Sequence, residues 1–385
     1  MRLQLFPHCE KGKGMSQHNL LIGIGGLGDE GDKPPVPAHF IALGEELVRR
    51  GHGVAFLTWP CRSEQVKTRG PFRIYCFPSP RPTRLADLRL ALQVIQMEKP
   101  KAILANFGSV NVLMLAGWLK RVPVRIAWYH TLEDAIRLDA RRPAWQLSVL
   151  TLRKRLFYQL CTHLVTVSSA GVKDLTTTFH MPISRIQVLH NTMPDPKINH
   201  SFGHDPNTVV CVGRFDKCKG QDVLIKAISL IHDGFPELRI KFIGDGPMLP
   251  KCKNLAHELG VGDHCDFLGK LPHQEVLCQV AHAAISIVPS RSDNLPSTVV
   301  ESLAVGTPVI ASSVGGIPDI FRDGKEGFLV PPEDPSALAF RMATLLQNNE
   351  LRLQMGKQAR ARFLDAFETR KVIPAHADWL EHMLS

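Results

Sequence analysis

The sequence predicts an α/β protein built as two doubly wound parallel-sheet domains facing a cleft. Three observations carry this expectation. Apolar, β-branched runs alternate with helical patterns from Leu20 to Asn191, and a second such alternation begins near Thr208. Between them lies TMPDPKINHSFGHDPN, rich in Pro, Asn and His and without a period. The chain has 385 residues, enough for two domains of ordinary size, and its 44% hydrophobic and 21% charged content excludes disordered and fibrous classes.

In chain order, residues 1–14 read as a leader and Met15 as the opening of the fold. LLIGIGGLG is a strand running into a glycine-rich turn. Gly23, Gly25 and Gly28 meet the G-x-G-x-x-G spacing, but prolines at 34, 35 and 37 delay the next helix to roughly Ala38, which argues against a nicotinamide site. FRIYCF, KAILANF, VRIAWYHT, HLVTVSS and IQVLHN continue the strands, with helices between them. The first domain therefore spans 15–190 and the linker 191–207. TVVCVGRF, RIKFIG, CDFLG, AAISIV, PVIAS and EGFLV are the strands of a second domain at 208–365, with helices starting near Gln221, Met248, His273 and Ser297. Residues 366–385 form a last helix.

Nine scattered cysteines, none in a C-x-x-C pair, read as reduced and mostly buried thiols in a cytoplasmic protein without a zinc site. The run from Ala102 to Leu119 is broken by Asn106, Gly108, Ser109 and Asn111, so it reads as strand and helix rather than as a membrane span. Charge is uneven. Residues 1–200 carry a balance of +13 and residues 201–385 a balance of −3. The basic half includes Arg141–Tyr158, where Arg141, Arg142, Arg153, Lys154 and Arg155 accompany Trp145, Leu147, Leu150, Leu152, Leu156 and Phe157. That composition suits reversible docking on an anionic bilayer, such as the inner face of the cytoplasmic membrane; the plainer alternative is a surface helix with its apolar face in the core. No feature calls for nucleic acid.

The chemistry concentrates in VPSRSDNLPSTVVESLAVGTPVIASSVGGIP. Asp293 falls in the turn after a strand. Glu301 follows after seven intervening residues, just over one turn into a helix for which Ser297 is the expected N-cap. Open parallel sheets bind ligands at this carboxyl edge. GRFDKCKG places Arg214 and Lys219 between Gly213 and Gly220 at another strand end. There Arg can grip a diphosphate bidentately and Lys adds a point charge. No D-x-D occurs in the chain, so no divalent metal is expected.

These motifs, in the order GRFDKCKG, GDGP, FLG, DNLPSTVVE and GGIP, resemble retaining GT-B glycosyltransferases, in particular glycosyltransferase family 4. RGHGV, His130 and VTVSS extend the resemblance more weakly into the first half. It implies two Rossmann-like domains, with the last helix crossing back to the first. It further implies transfer of a hexose from a nucleotide-diphosphate sugar to an acceptor hydroxyl with retained configuration, in glycan, polysaccharide or glycolipid biosynthesis, with no cofactor. By the resemblance Glu301 holds the ribose and Leu268 lies beside the base. Gly213, Arg214 and Lys219 hold the diphosphate, while Asp293, Asn294, Leu295, Ser297 and Thr298 hold the donor sugar. His130 sits near the reaction centre, on the acceptor side with Gly25, Gly26 and Ser168. The catalytic set is His130, Arg214, Lys219 and Asp293. The acceptor stays open among a glycan, a lipid-linked saccharide and a small molecule. Asp293 stands where the family more often has Glu, and Pro296 removes an amide donor. Two other readings remain: a nucleotide-sugar 2-epimerase and a non-catalytic nucleotide-sugar-binding subunit.

Overall fold

The computed structural model describes residues 18–27, 35–59, 67–140, 143–198 and 205–385. The first domain runs β1 (Asn19–Gly23), α1 (Pro35–Arg49), β2 (Gly53–Thr58), β3 (Lys67–Arg69), β4 (Phe72–Cys76), α2 (Leu85–Glu98), β5 (Ala102–Asn106) and α3 (Val110–Leu119). It continues with β6 (Val124–Tyr129), α4 (Glu133–Asp139), α5 (Ala144–Gln159), β7 (His163–Thr166), α6 (Ser169–Thr177) and β8 (Ile186–Val188). The strands form one sheet in the order β3-β4-β2-β1-β5-β6-β7-β8, parallel except that β3 runs antiparallel to β4. Strands buried on both faces need continuous apolar sequence. β5 shows it: every residue of Ala102–Asn106 is buried.

The second domain runs β9 (Asp205–Val212), α7 (Gln221–Ser229), β10 (Arg239–Ile243), α8 (Leu249–Glu258), β11 (Cys265–Gly269), α9 (His273–His282) and β12 (Ala283–Val288). α10 (Ser297–Val305), β13 (Val309–Ser312), α11 (Ile317–Ile320), β14 (Gly327–Val330), α12 (Pro335–Gln347), α13 (Asn349–Ala366) and α14 (Thr369–Leu384) complete it. Its sheet is parallel throughout, in the order β11-β10-β9-β12-β13-β14. In both sheets the order reverses beside the first strand, and the crevice at that reversal is where such sheets take ligands.

The chain crosses between the domains twice. Met193 pairs with the segment between α13 and α14, its N–H donating to the Phe367 carbonyl at 3.0 Å and its carbonyl accepting from Thr369 N–H at 3.1 Å. α14 then lies on the first domain, where Ile373, Ala377, Leu380 and Leu384 join a buried cluster with Leu20, Phe40 and Leu47. Arg50 fastens its outer face to Asp378 and Glu381.

Several local expectations change. α1 starts at Pro35, not Ala38: prolines 35 and 37 sit in its first turn, where the missing N–H costs no helical hydrogen bond. β9 opens at Asp205, so the end of the aperiodic stretch is strand. Pro296, not Ser297, is the residue before α10, and Ser297 is its first helical residue. Cys161, Cys211, Cys218, Cys252 and Cys265 are free and buried, and Cys278 is free and half-buried. Cys76, however, is disulfide-bonded, against the expectation of reduced thiols. The leader 1–14 lies outside the described residues, as do Gly28, Arg141 and Arg142.

Candidate active site

A cavity of about 1140 Å³ opens between the domains. The second domain lines it with Arg214, Lys219, Asp293 and Asn294, and the first domain with His130 and residues of α4 and α5. Backbone packing sets the second wall. Gly213 N–H donates to the Ile243 carbonyl at 2.9 Å, and Gly244 N–H to the Gly269 carbonyl at 2.8 Å, so the turns after β9, β10 and β11 form one rim. Gly244 has φ of +139°, and a Cβ there would come within 2.0 Å of the Gly213 carbonyl. The two turns therefore meet only because this position carries no side chain.

Lys219 Nζ donates to Asp293 Oδ2 at 2.5 Å, joining residues 74 apart in sequence. Burial lowers the Lys219 pKa, but the Asp293 carboxylate outweighs it and the net shift is upward, so the ammonium stays charged. Arg214 is 73% exposed and pairs with Asp216 at 3.0 Å. Both cations thus already hold a carboxylate. Arg291, which no motif marked, ties the two loops together. Its N–H donates to the Cys218 carbonyl at 2.7 Å, and its guanidinium reaches Asp222 and Glu333.

On the first wall, His130 follows the end of β6 and lies flat on Phe107, ring centroids 4.4 Å apart. Asn106 Nδ2 donates to the Gly23 carbonyl, which leaves its Oδ1 to accept from His130 Nε2 at 2.8 Å. This assigns the Nε2–H tautomer. Burial pushes the His130 pKa down to about 3. His130 is therefore a neutral ring held in place by Asn106 and Phe107.

The remaining expected residues divide. Glu301 is buried in α10, and its carboxylate meets His273 Nε2 at 3.1 Å. Thr298 is also buried, its hydroxyl donating to the Val212 carbonyl at 3.3 Å. Leu268 is 39% exposed on β11, and Ser297 is exposed. None of these four lines the cavity. Gly25 and Gly26 lie against Trp59 and are not among the residues that line it. Asn294 and Ser168 hydrogen-bond to each other across the domain boundary. Leu295 packs against the cores of both domains. The side chains of Asn294 and Leu295 thus make contact between the domains, and Ser168 caps α6 by accepting from Gly171 N–H at 3.1 Å.

α5 carries two faces. Leu147 is buried, Leu150 and Phe157 are half-buried, and Lys154 binds Glu133 at 2.9 Å. These residues turn inward and leave the surface set expected for a bilayer. Trp145, Val149, Leu152 and Leu156 are exposed by 67, 57, 55 and 61%, and their spacing puts them on one outer face. Among the described residues no helix is long and apolar enough to cross a membrane.

Two such domains, with a charged diphosphate-sized turn and an acidic loop at the crevice, define a GT-B architecture. Comparison with known proteins supplies the family. Residues 36–194 match the model for Glycosyltransferase Family 4, and residues 195–362 match that for Glycosyl transferases group 1. The chain belongs to these glycosyltransferases. It is 27% identical over 386 residues to D-inositol 3-phosphate glycosyltransferase of Corynebacterium efficiens, covering 90% of this chain and 89% of that one. A GDP-mannose-dependent α-(1-6)-phosphatidylinositol monomannoside mannosyltransferase of Mycolicibacterium smegmatis is 31% identical over 189 residues, 46% of this chain and 50% of that one. Among solved structures, sucrose-phosphate synthase of Thermosynechococcus elongatus superposes with a TM-score of 0.77 at 19% identity, covering 95% of this chain and 99% of that one. Anabaena HepE in complex with UDP-glucose gives 0.73 at 15%, covering 95% and 100%. At these identities the structural likenesses bear on fold alone.

Proposed function

We propose that this glycosyltransferase moves a hexose from a nucleotide-diphosphate sugar to an acceptor hydroxyl, with retention and without a divalent metal. The observation that supports it is the Lys219–Asp293 ion pair, lining the same cavity as Arg214 and His130. When donor enters, Lys219 exchanges Asp293 for the diphosphate, and the freed carboxylate accepts from a sugar hydroxyl. The bond from the anomeric carbon to the phosphate oxygen breaks as the acceptor oxygen attacks from the same face. The acceptor proton passes to the departing phosphate oxygen. Lys219 and Arg214 stabilise the charge that grows on the diphosphate, with the amide dipoles at the start of α10 adding to them. His130, neutral and fixed, shapes the acceptor side.

The donor base stays open, since one relative is GDP-mannose-dependent and a structural neighbour was solved with UDP-glucose. A panel of labelled nucleotide sugars in excess EDTA tests the reading. Transfer or donor hydrolysis supports it, and NMR of the product reads the anomeric configuration. Activity lost in EDTA and restored by Mn²⁺ refutes metal independence. Epimerised sugar points to the 2-epimerase, and tight binding without turnover to a non-catalytic subunit. The exposed stripe of α5, flanked by Arg153 and Arg155, supports reversible docking on the anionic inner face of the cytoplasmic membrane.

A further inference from the structure

The loop that carries Asp293 grips the opposite domain with its next two residues. Asn294 is 2% exposed. Its Nδ2 donates to the Tyr129 carbonyl at 3.2 Å, at the end of β6, and its Oδ1 accepts from Ser168 Oγ, just after β7. Leu295 adds apolar contact with both cores. The GGIP turn backs the same loop. Gly316 N–H donates to the Asp293 carbonyl at 3.0 Å, and a Cβ on Gly316 would lie 1.9 Å from the Asn294 carbonyl and 2.4 Å from Ser168 Cβ. Beyond it, Asp319 accepts from Ser169 N–H at 2.6 Å and from Ser169 Oγ at 2.8 Å.

One hydrogen bond therefore sets the register between the end of β6 and the loop after β12. Tyr129 immediately precedes His130, and Asn294 immediately follows Asp293. Joining the Tyr129 carbonyl to the Asn294 amide brings the histidine of one domain and the carboxylate of the other to a single place. A buried amide satisfied at both ends is costly to leave unpaired, so the bond favours one domain arrangement over its neighbours. We infer that Asn294 and Ser168 are positioning residues that place the Asp293 carboxylate against the first-domain wall, so that the catalytic arrangement is complete only when the domains are closed. This rests on the glycosyltransfer reading above, and it gives Asn294 a role in which it does not touch the donor.

The test uses the full chain and the variant Asn294→Asp. This change keeps the volume and the acceptor for Ser168 Oγ. It replaces the donor to Tyr129 with a carboxylate oxygen facing a carbonyl. Melting temperature first establishes that the variant folds. UDP and GDP affinities are measured by calorimetry, kcat with the donor found in the panel, and radius of gyration by small-angle scattering with and without nucleotide. The expected result is nucleotide affinity within about 2-fold of the parent, a ~100-fold loss of kcat and a larger radius. A folded variant with parental kcat and radius overturns the inference. So does an affinity that falls in step with kcat, since that makes Asn294 a direct donor ligand. Should the parent chain transfer no sugar, the function reading fails, while the scattering comparison still decides whether Asn294 holds the domains together. Ser168→Ala also removes the cap of α6, so it is read only after Asn294→Asp.

Discussion

The two walls of the cleft are built from different materials. The second-domain wall is ionic: Lys219 on Asp293, Arg214 on Asp216, and Arg291 on Asp222 and Glu333. It stands on tight turns that tolerate only glycine. The first-domain wall sets an uncharged ring, His130 stacked on Phe107 with Trp128 behind it, beside the charged residues of α4 and α5. The difference teaches a division of labour. One wall supplies charge where charge develops, and the other supplies shape and register. Each prediction below breaks or sharpens that contrast.

The largest effect belongs to the ionic wall. Lys219→Ala should lower kcat by about 10²–10³-fold, the usual cost of removing one preorganised charge stabiliser, with a smaller change in donor affinity. Arg214→Ala should cost less, because its side chain is 73% exposed and its ion pair with Asp216 lies at the surface. Steady-state kinetics on both variants check the order. An Arg214 variant slower than the Lys219 variant would show that the surface arginine, not the buried pair, carries the phosphate charge.

Next comes Glu301. It lies behind the cavity lining, buried and hydrogen-bonded to His273, yet the family resemblance gives it the ribose. Glu301→Gln should weaken nucleotide binding by ~10–100-fold, from loss of about 1.5–3 kcal/mol in a charged hydrogen bond, while kcat changes little. Calorimetric titration of nucleotide reads this directly. Unchanged affinity would remove Glu301 from the donor site.

How much of this was legible in sequence depends on the range of each contact. β-branched charge-free runs announced the strands of both sheets, because a strand buried on both faces has to be apolar along its length. The turns after β9 and β10 announced themselves through glycine and charge, because their conformations are set within a few residues. Lys219 and Asp293 were each marked by local spacing, but their pairing spans 74 positions and depends on how β9 and β12 lie side by side. The cross-domain contacts of Asn294 were hidden for a related reason. Its partners Tyr129 and Ser168 come from the other domain, and no local pattern encodes where a second domain rests. Arg291 had a signal, its place two residues before Asp293, but its partners lie up to 74 positions away. The inward turn of Leu147 was likewise invisible until α5 was seen against the rest of the domain.

A smaller effect is expected outside the cleft. Trp145→Ser with Leu152→Ser removes two of the four exposed apolar side chains of α5 and touches neither wall. Sedimentation with anionic vesicles at low salt should fall several-fold, with catalysis on a soluble acceptor unchanged. Equal recovery of the parent chain with neutral and anionic vesicles would sink the docking proposal.

The last effect, and the one that sharpens the contrast most, is on stability against pH and leaves the rate untouched. The aromatic side of the molecule buries its histidines uncharged. Burial pushes His130 down to about 3 and His376 down to about 4, and it lowers His39 as well, with His376 and His130 adding to that shift. Each of these groups has a folded pKa below its unfolded value near 6.5. Between those values the unfolded chain binds more protons than the folded one, so stability is complete above about pH 6.5 and declines as pH falls. At full engagement each histidine contributes about 1.4 kcal/mol per pH unit. The carboxylates with lowered pKa values, such as Asp222 beside Arg291, lose their contribution only at more acid pH, which leaves roughly pH 4.5–6.5 to the histidines. Urea unfolding across that range should show stability falling towards acid, with a shallower slope for His376→Leu, whose buried ring Nδ1 has no hydrogen-bond partner among the described residues. Over the same range kcat should show no inflection from His130, because the folded protein keeps that ring neutral throughout. A rate that titrates near pH 6.5 and loses its inflection in His130→Asn would mean that the first wall takes part in proton transfer after all, and the division between a charged wall and a shaping wall would have to be abandoned.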